Sequence, residues 1–173
     1  YVSIREYGGA GIFLASFLVA LFVTGLALFL LPVGYSVRRF KTANLWVNAV
    51  VFVLAWSVSE WLLTWLFTGF PWLLLGYSLI DSPVASLLPV FGVLASGMLA
   101  LIFFLGAALA CRSVLFTDRI RWHYAVPVLV PSFLALVLHN ITWVSEKGLH
   151  SVGLVQGNID QSIKWDFKER NRI

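Results

Sequence analysis

The chain has 173 residues, of which 60% are apolar and only 12% charged, with a mean hydropathy of +0.90. Its 12 basic and 8 acidic residues are too few to build the polar surface of a soluble globular domain, so that class is excluded. The net charge of +4 does not indicate nucleic-acid binding, because the basic residues are segregated into particular loops.

Long uncharged runs predict helices that cross a membrane. A spanning helix needs ~20 predominantly apolar residues, and we predict four such helices, at about residues 11–31, 45–67, 88–111 and 124–143. They belong to a predicted transmembrane domain of residues 1–144. The chain begins with Tyr1 instead of Met, and no charged segment with a cleavage site precedes the first helix. We therefore expect no signal peptide and a chain cut at both ends.

The basic residues indicate which loops face the cytoplasm. Two loops contain half of the 12 basic residues: Arg38, Arg39 and Lys41 in the first, and Arg112, Arg119 and Arg121, with Asp118 as the only acid, in the second. The positive-inside rule places both loops, residues 32–44 and 112–123, in the cytoplasm. The N-terminal tail, the loop of residues 68–86 (loop 68–86) and residues 145–173 then lie on the opposite side of the membrane.

Loop 68–86 follows a helix end that is crowded with aromatic residues, as is typical of the headgroup level of a membrane: Trp61, Trp65, Phe67, Phe70, Trp72 and Tyr77. The second helix should end in Thr68-Gly69-Phe70-Pro71, because Pro71 lacks an amide donor and disfavours helix at Phe70. We expect the loop to lie on the membrane interface or to dip into it.

The last two predicted helices differ in their small residues and prolines. Gly92, Ser96 and Ala100 share one face of the third helix and suit close packing between helices. Pro127 and Pro131 lie in the fourth helix and should kink its inner half.

The C-terminal residues predict the start of a water-exposed domain. Residues 145–151 form a polar linker, and Val152–Gln156 is a short β-prone run that ends at the turn signal Gly157-Asn158. Asp166 with Glu169 resembles a capping box, so a helix should begin near Phe167. Residues 152–173 are therefore assigned to the truncated start of this domain.

Glu60 is the only acidic residue inside a predicted membrane helix. It lies seven residues before Phe67, roughly 10 Å below the end of that helix at 1.5 Å per residue. A carboxyl group at that depth should be protonated, paired, or face a wet cavity, and such residues are often functional. The alternative is a packing residue held by Ser57 or Thr64, and Arg5 is a possible partner on the same side of the membrane.

Other reactive side chains form no recognisable site. Cys111 is the only cysteine and is expected to be a small apolar residue at a helix end rather than a nucleophile. His123, His139 and His150 have no ligand spacing with cysteine or acidic residues, so no metal site is predicted. The sequence contains no Ser-His-Asp set and no phosphate loop, and we predict neither a catalytic residue nor a cofactor in this chain.

Three segments together resemble the bacterial apolipoprotein N-acyltransferase family. Glu60-Trp61, Thr68-Gly69-Phe70-Pro71-Trp72 and Gly76-Tyr77-Ser78 are similar to its outer-loop signature. Residues 155–159 (Val-Gln-Gly-Asn-Ile), Gln161 and Lys164-Trp165 are similar to the opening strand of its nitrilase-like domain. Tyr1-Val2-Ser3-Ile4 with Gly8-Gly9 fits the stretch before its third membrane helix. The three matches occur in the family's order and bracket the chain.

The resemblance implies a fold and an activity. The fold is an α-helical membrane bundle followed by the first strand of an α/β nitrilase-like αββα sandwich. The enzyme, a monomer in the bacterial inner membrane with this domain in the periplasm, would move an acyl chain from a membrane phospholipid to the N-terminal cysteine of a diacylated apolipoprotein. It would do so through a thioester, using a Glu-Lys-Cys triad that lies beyond the point matching Ile173. The chain alone should therefore be inactive, and we expect no nucleic-acid partner.

Some residue roles can be carried over from the family. Trp165 matches a tryptophan near the mouth of the catalytic cavity, and four loop residues match the lipid entrance: Phe70, Pro71, Trp72 and Tyr77. For these aromatic residues an interfacial belt is an equal alternative. The chain departs from the family at Leu63, where many members have arginine, and at Leu79, where many have glutamine. These departures leave the partner of Glu60 open.

Two other functions are compatible with the residues alone. The first is a non-catalytic membrane anchor or scaffold for a different outward-facing domain, and the sequence after Ile173 would discriminate it from the enzyme. The second is a transporter bundle, which a single intramembrane acid and the lack of an evident inverted repeat disfavour.

Overall fold

A computed structural model of the chain describes residues 1–117, 122–149 and 151–156. Four helical stretches in these ranges are long and apolar enough to cross a membrane: Ile12–Arg39, Leu45–Leu63, Ala85–Phe116 and Trp122–His139. The predicted four membrane helices are thereby confirmed by length and composition, and the chain is an integral membrane protein. Contacts divide it into two compact units, one of Ala27–Val144 and one of Tyr1–Leu26 with Ser145–Ile173.

The first membrane stretch consists of two helices. A π-helical turn, Ser3–Tyr7, precedes α1 (Ile12–Leu28), and after a short break α2 runs over Leu31–Arg39. The sequence predicts a helix end near residue 31, just before Pro32. The structure places Pro32 in the first turn of α2, where its missing amide hydrogen breaks no helical hydrogen bond. Arg38 and Arg39 therefore lie in the last turn of a helix instead of a loop.

The second membrane helix, α3 (Leu45–Leu63), begins at a polar cap. The side chain of Asn44 accepts a hydrogen bond of 2.9 Å from the amide of Trp46, which satisfies one free donor of the first turn. The side chain of Asn48 makes two further bonds of 2.9 Å to the backbone of Thr42. These contacts fix the entry into α3. The helix ends at Leu63, four residues before the end expected from the sequence.

The last two helices are α4 (Leu88–Thr117) and α5 (Val126–His139). Gly92 interrupts α4 with φ 67° and ψ 177°, a conformation that only glycine adopts readily. Pro127 lies in the first turn of α5, and Pro131 alone is inside that helix. A Cβ atom on Gly106 of α4 would lie 2.5 Å from Cγ of Pro127, so the two helices approach closely there.

The packing within Ala27–Val144 is sequential, with α2 against α3, α3 against α4 and α4 against α5. Hydroxyl groups join these elements: Ser59 Oγ of α3 donates to the carbonyl of Phe29, and Ser86 Oγ donates to the carbonyl of Ala135 at 2.8 Å. Large apolar side chains remain exposed along every membrane helix. That surface suits a hydrocarbon solvent, in which apolar groups need no burial.

The C-terminal expectations are only partly covered by the described residues. Residues 140–149 and 151–156 have no regular secondary structure, so the expected strand at Val152–Gln156 is not formed there. A strand requires a neighbouring strand for its hydrogen bonds, and the described part of the chain offers none. Trp165 and the helix expected near Phe167 lie outside the described residues. The nitrilase-like domain remains a prediction.

Candidate functional site

Loop 68–86 is a chain of short helical turns that folds back onto the helices. Its 3-10 segments are Leu66–Thr68, Pro71–Leu73, Leu75–Leu79 and Ala85–Leu87. Two serine hydroxyls close these turns, Ser78 on the carbonyl of Leu75 and Ser82 on that of Leu79, each at 2.7 Å. The inward side of the loop is buried against α4 and α5 and consists of Leu74, Gly76, Leu79 and Leu87.

The loop begins with a strained reversal of the chain. Phe67, Thr68 and Gly69 have φ angles of 53°, 76° and 81°, three consecutive residues in the left-handed region. This region is uncommon for phenylalanine and an outlier for β-branched threonine. Gly69 is required for a second reason, since a Cβ atom there would lie 2.1 Å from the carbonyl oxygen of Thr64. A hydrogen bond of 2.7 Å from Phe70 N to the carbonyl of Leu63 closes the reversal.

Glu60 lies beneath this loop, with only 7% of its surface exposed. Its Oε1 accepts a hydrogen bond of 2.7 Å from the amide of Leu75, 15 residues along the chain. Leu75 is the first residue of the 3-10 segment Leu75–Leu79, whose amide has no partner within that segment. The carboxyl group of Glu60 therefore joins α3 to the middle of loop 68–86.

The partners suggested from the sequence for Glu60 are occupied elsewhere or not used. The hydroxyl of Thr64 donates to the carbonyl of Trp61 at 2.6 Å. Ser57 Oγ is buried without a hydrogen-bond partner among the described residues. The partner that the structure shows for Glu60 is thus a backbone amide of the loop and neither Ser57 nor Thr64.

Two glycines allow the loop backbone to lie directly on α4. A Cβ atom on Gly76 would lie 1.9 Å from the carbonyl oxygen of Val93, so no other residue fits. A Cβ atom on Gly97 would lie 3.0 Å from the amide nitrogen of Gly76 and 3.5 Å from Oε2 of Glu60. We call this group of four residues, Glu60, Leu75, Gly76 and Gly97, the Glu60 junction. It holds three segments of the chain together.

The opposite side of the loop is aromatic and open. Trp72 is 76% exposed and Tyr77 is also exposed, whereas Phe70 and Pro71 are half-buried. Trp61 and Trp65 stack edge to face beside the start of the loop, with ring centroids 5.2 Å apart. All four predicted loop residues lie within residues 70–77, the segment that also contains Leu75, the hydrogen-bond partner of Glu60. Of the predicted site residues, only Trp165 lies outside the described range.

Sequence reasoning missed Leu75 and Gly97. Leu75 takes part through its backbone amide, which no residue pattern distinguishes. Gly97 lies next to Ser96, which belongs to the small-residue face predicted for this helix. Ser96 itself is fully buried, and its hydroxyl has no partner among the described residues. The sequence feature that could have indicated Gly97 is its pairing with Gly76, because two glycines on different segments allow the backbones of those segments to approach closely.

Cys111 and His123 lie outside loop 68–86, on α4 and between α4 and α5. Cys111 is a free, exposed cysteine on α4. The ring of His123 packs against Tyr124 and Trp46, at centroid distances of 4.4 and 6.0 Å. In residues 1–117, 122–149 and 151–156, no group of three or more histidine, cysteine or acidic residues could hold a metal ion.

Comparison with known proteins identifies the family. Residues 1–108 match the model of the apolipoprotein N-acyltransferase N-terminal domain. The chain belongs to the apolipoprotein N-acyltransferase family. An apolipoprotein N-acyltransferase of Haemophilus influenzae is 37% identical over 95% of this chain and 32% of its own length. Those of Coxiella burnetii and Pseudomonas syringae are 39% and 38% identical over 96% and 99% of this chain, and 34% of their own lengths.

The matched relatives are much longer than this chain, which spans about a third of their length. No solved structure matches the chain. The relatives' name describes an acyltransferase acting on apolipoproteins, and membership in that family agrees with the four membrane helices of the structure.

Proposed function

We infer that this chain is the membrane part, with the beginning of the soluble domain, of an enzyme that transfers a fatty acyl chain from a phospholipid to the N-terminal cysteine of an apolipoprotein. The observation that carries this proposal is the 34–39% identity to acyltransferases of this name over 95% or more of the chain. A non-catalytic anchor would have no reason to retain this similarity through both the loop and the helices.

The proposed reaction has two halves. A thiolate of the soluble domain attacks the ester carbonyl of the phospholipid, the oxyanion collapses, and the lysophospholipid leaves as an alcohol that takes up a proton. The α-amino group of the lipoprotein cysteine then attacks the thioester, forms an amide bond, and releases the thiol. The Glu-Lys-Cys triad implied by the family resemblance lies beyond Ile173. Glu60, Cys111 and Lys164 take no part in it.

Loop 68–86 is proposed to form part of the entrance through which acyl chains leave the bilayer. An acyl chain that moves toward a water-exposed active site needs an apolar path across the interface, since each exposed methylene costs ~0.8 kcal/mol in water. Exposed Trp72 and Tyr77, with half-buried Phe70 and Pro71, offer such a surface. The Glu60 junction keeps this surface in place because it fixes the loop backbone from below.

The proposed orientation places this entrance on the periplasmic side of a bacterial inner membrane. The basic residues of α2 and of the α4–α5 connection lie at the other helix ends, which the positive-inside rule assigns to the cytoplasm. Residues 145–173 then emerge on the same side as loop 68–86. Trp165 is proposed to lie near the mouth of the catalytic cavity, as the family resemblance implies.

The test of this function is acyl transfer by the whole protein that contains this chain. Purified protein in phospholipid micelles is mixed with a diacylated peptide that begins with cysteine, and the peptide mass is followed. We expect the mass of one acyl chain to be added, at a lower rate when Trp72→Ala is introduced into loop 68–86. No mass increase with the wild-type protein would contradict the enzyme proposal. An increase that is unchanged in Trp72→Ala would contradict only the role of that residue.

A further inference from the structure

A second apolar feature lies at the other end of the membrane bundle from loop 68–86. It is a groove of about 300 Å³ between α3, α4 and the first turn of α5, lined almost entirely by apolar atoms. Residues one and two turns apart form its walls: Trp46, Val50 and Leu54 on α3, and Met98, Leu105 and Leu109 on α4. Val50 and Leu54 are 52% and 55% exposed, so the groove opens sideways toward the hydrocarbon region.

Aromatic rings mark the end of the groove at the start of α3. The ring of Trp46 lies 5.4 Å from that of Tyr124 and 6.0 Å from that of His123, measured between centroids. Tyr124 is buried and His123 is exposed. Because α3 begins at Leu45, this cluster lies at the helix end, where tryptophan and tyrosine favour the level of lipid headgroups.

Basic residues lie one turn beyond the groove on α4 and in the last turn of α2. Arg112 is exposed on α4, three residues beyond Leu109, and therefore continues the face of the helix that lines the groove. Arg38 and Arg39 lie in the last turn of α2, shortly before α3 begins. Among the described residues from 27 to 59 and from 98 to 139 there is no acidic residue. By sequence, Asp118 is the one acid of the α4–α5 connection, next to Arg119.

We propose that this groove binds one acyl chain of an anionic phospholipid from the leaflet on the side of the basic residues. The chain lies along Val50 and Leu54, and the phosphate lies near Arg112 at the aromatic end. Basic pockets between membrane helices bind such headgroups by charge, and the apolar groove adds the contact area for the tail. This lipid is distinct from the acyl donor, because the site lies at the other end of α3 from the proposed entrance.

The size of the groove favours a lipid over a protein helix. A helix about 10 Å in diameter that rises 1.5 Å per residue occupies roughly 120 Å³ per residue. The groove of about 300 Å³ would thus hold only a short piece of a helix. A single acyl chain is narrow enough to enter it lengthwise, and the phosphate of the same lipid molecule would supply an anionic partner for Arg112.

The experiment uses the whole protein in lipid nanodiscs that contain a trace of phosphatidylglycerol or phosphatidylcholine with a photoreactive group on one acyl chain. After illumination, adducts are mapped by peptide mass spectrometry. We expect about fivefold more adduct on the α3 and α4 groove segments with phosphatidylglycerol than with phosphatidylcholine. The variant Arg112→Gln should remove that preference, whereas Arg5→Gln, outside the groove, should keep it.

Two further variants distinguish the groove from the general lipid surface. Val50→Trp fills the groove and should lower the phosphatidylglycerol adduct at least about threefold. Val47→Trp places the same side chain on an exposed position of α3 that does not line the groove, and should leave the adduct unchanged. Leu54→Trp serves as a second filling variant if the first is unstable. Equal labelling by both lipids, or adducts unaffected by both filling variants, would overturn the proposal. So would a cross-link from a photoreactive residue at position 50 to another segment of the protein.

Discussion

The two ends of α3 are held by different kinds of interaction. At its end near loop 68–86, backbone groups meet at close range, with the Glu60 carboxyl group on the amide of Leu75 and Gly76 against the carbonyl of Val93. At its other end lie a polar cap, neighbouring aromatic rings and an open apolar groove, with exposed Arg112 one turn beyond the groove on α4. The close backbone contacts near the loop exclude larger side chains and hold the loop in one position, whereas the open groove at the other end leaves room for a ligand. Substitutions should therefore have larger effects near the loop.

The largest effect is expected for Gly76→Ala. The new Cβ atom would lie 1.9 Å from the carbonyl oxygen of Val93, a backbone atom that cannot move aside, so the loop must leave α4. We expect a loss of roughly 3 kcal/mol or more in the free energy of unfolding, together with loss of acyl transfer. The midpoint of thermal unfolding in detergent measures the first quantity.

The matched control for Gly76→Ala is Gly34→Ala in α2, where a Cβ atom would meet nothing within 4 Å. This change should be neutral or stabilise the protein by about 0.5–1 kcal/mol, since alanine favours the helix. Equal unfolding midpoints for the two variants would refute the close approach of the loop to α4.

The next effect concerns Glu60. Glu60→Ala leaves the amide of half-buried Leu75 without its acceptor, which costs about 1–3 kcal/mol. Glu60→Gln keeps a side-chain oxygen in place and should cost clearly less. Hydrogen exchange at the Leu75 amide should accelerate in the alanine variant and stay close to wild type in the glutamine variant. Glu146→Ala, an exposed acid, is the control and should change neither quantity.

At the opposite end of α3, removal of the cap should have a smaller effect. Asn44→Ala loses the hydrogen bond to the amide of Trp46 and should lower the free energy of unfolding by about 1 kcal/mol. Asn44→Asp keeps an acceptor and should recover most of it. A loss as large as that of Gly76→Ala would contradict the proposed difference between the two ends.

The smallest effect has the opposite sign. Thr68 has a φ angle of 76°, so Thr68→Gly removes backbone strain at the start of loop 68–86. The gain of about 1 kcal/mol or more from released strain is partly offset by the greater freedom of glycine in the unfolded chain. We expect an unchanged or slightly higher unfolding midpoint. Thr24→Gly within α1 should instead lower the free energy of unfolding by roughly a few tenths of a kcal/mol.

The sequence predicted the membrane helices well, because hydropathy over ~20 residues is a property of the local chain. The break before Pro71 was also predictable, since Gly69 and Pro71 exclude a regular helix. Two local features were misjudged. Pro32 indicated a helix end but begins α2, and Gly92 suggested a packing face but interrupts α4. A proline can end a helix or begin one, and a glycine can pack closely within a helix or interrupt it. Only the packing around the residue decides between the two.

The Glu60 junction could be predicted only in part. An acid at that depth indicates that a partner exists, but it does not identify the partner. The structure supplies a backbone amide 15 residues away, and a backbone amide carries no residue signature. The contact also depends on Gly76 and Gly97, whose role follows from the approach of two segments in space. Trp165 stays a prediction that rests on family resemblance.

We propose that Glu60 holds loop 68–86 in place as an acyl entrance. The most direct test of this claim is the rate of acyl transfer by the whole protein with Glu60→Ala and with Glu60→Gln. We expect the alanine variant to transfer about tenfold more slowly or worse, since the amide of Leu75 loses its acceptor. The glutamine variant should stay within about threefold of wild type, because the hydrogen bond survives. Wild-type rates in both variants, or an equal loss in both, would contradict the claim.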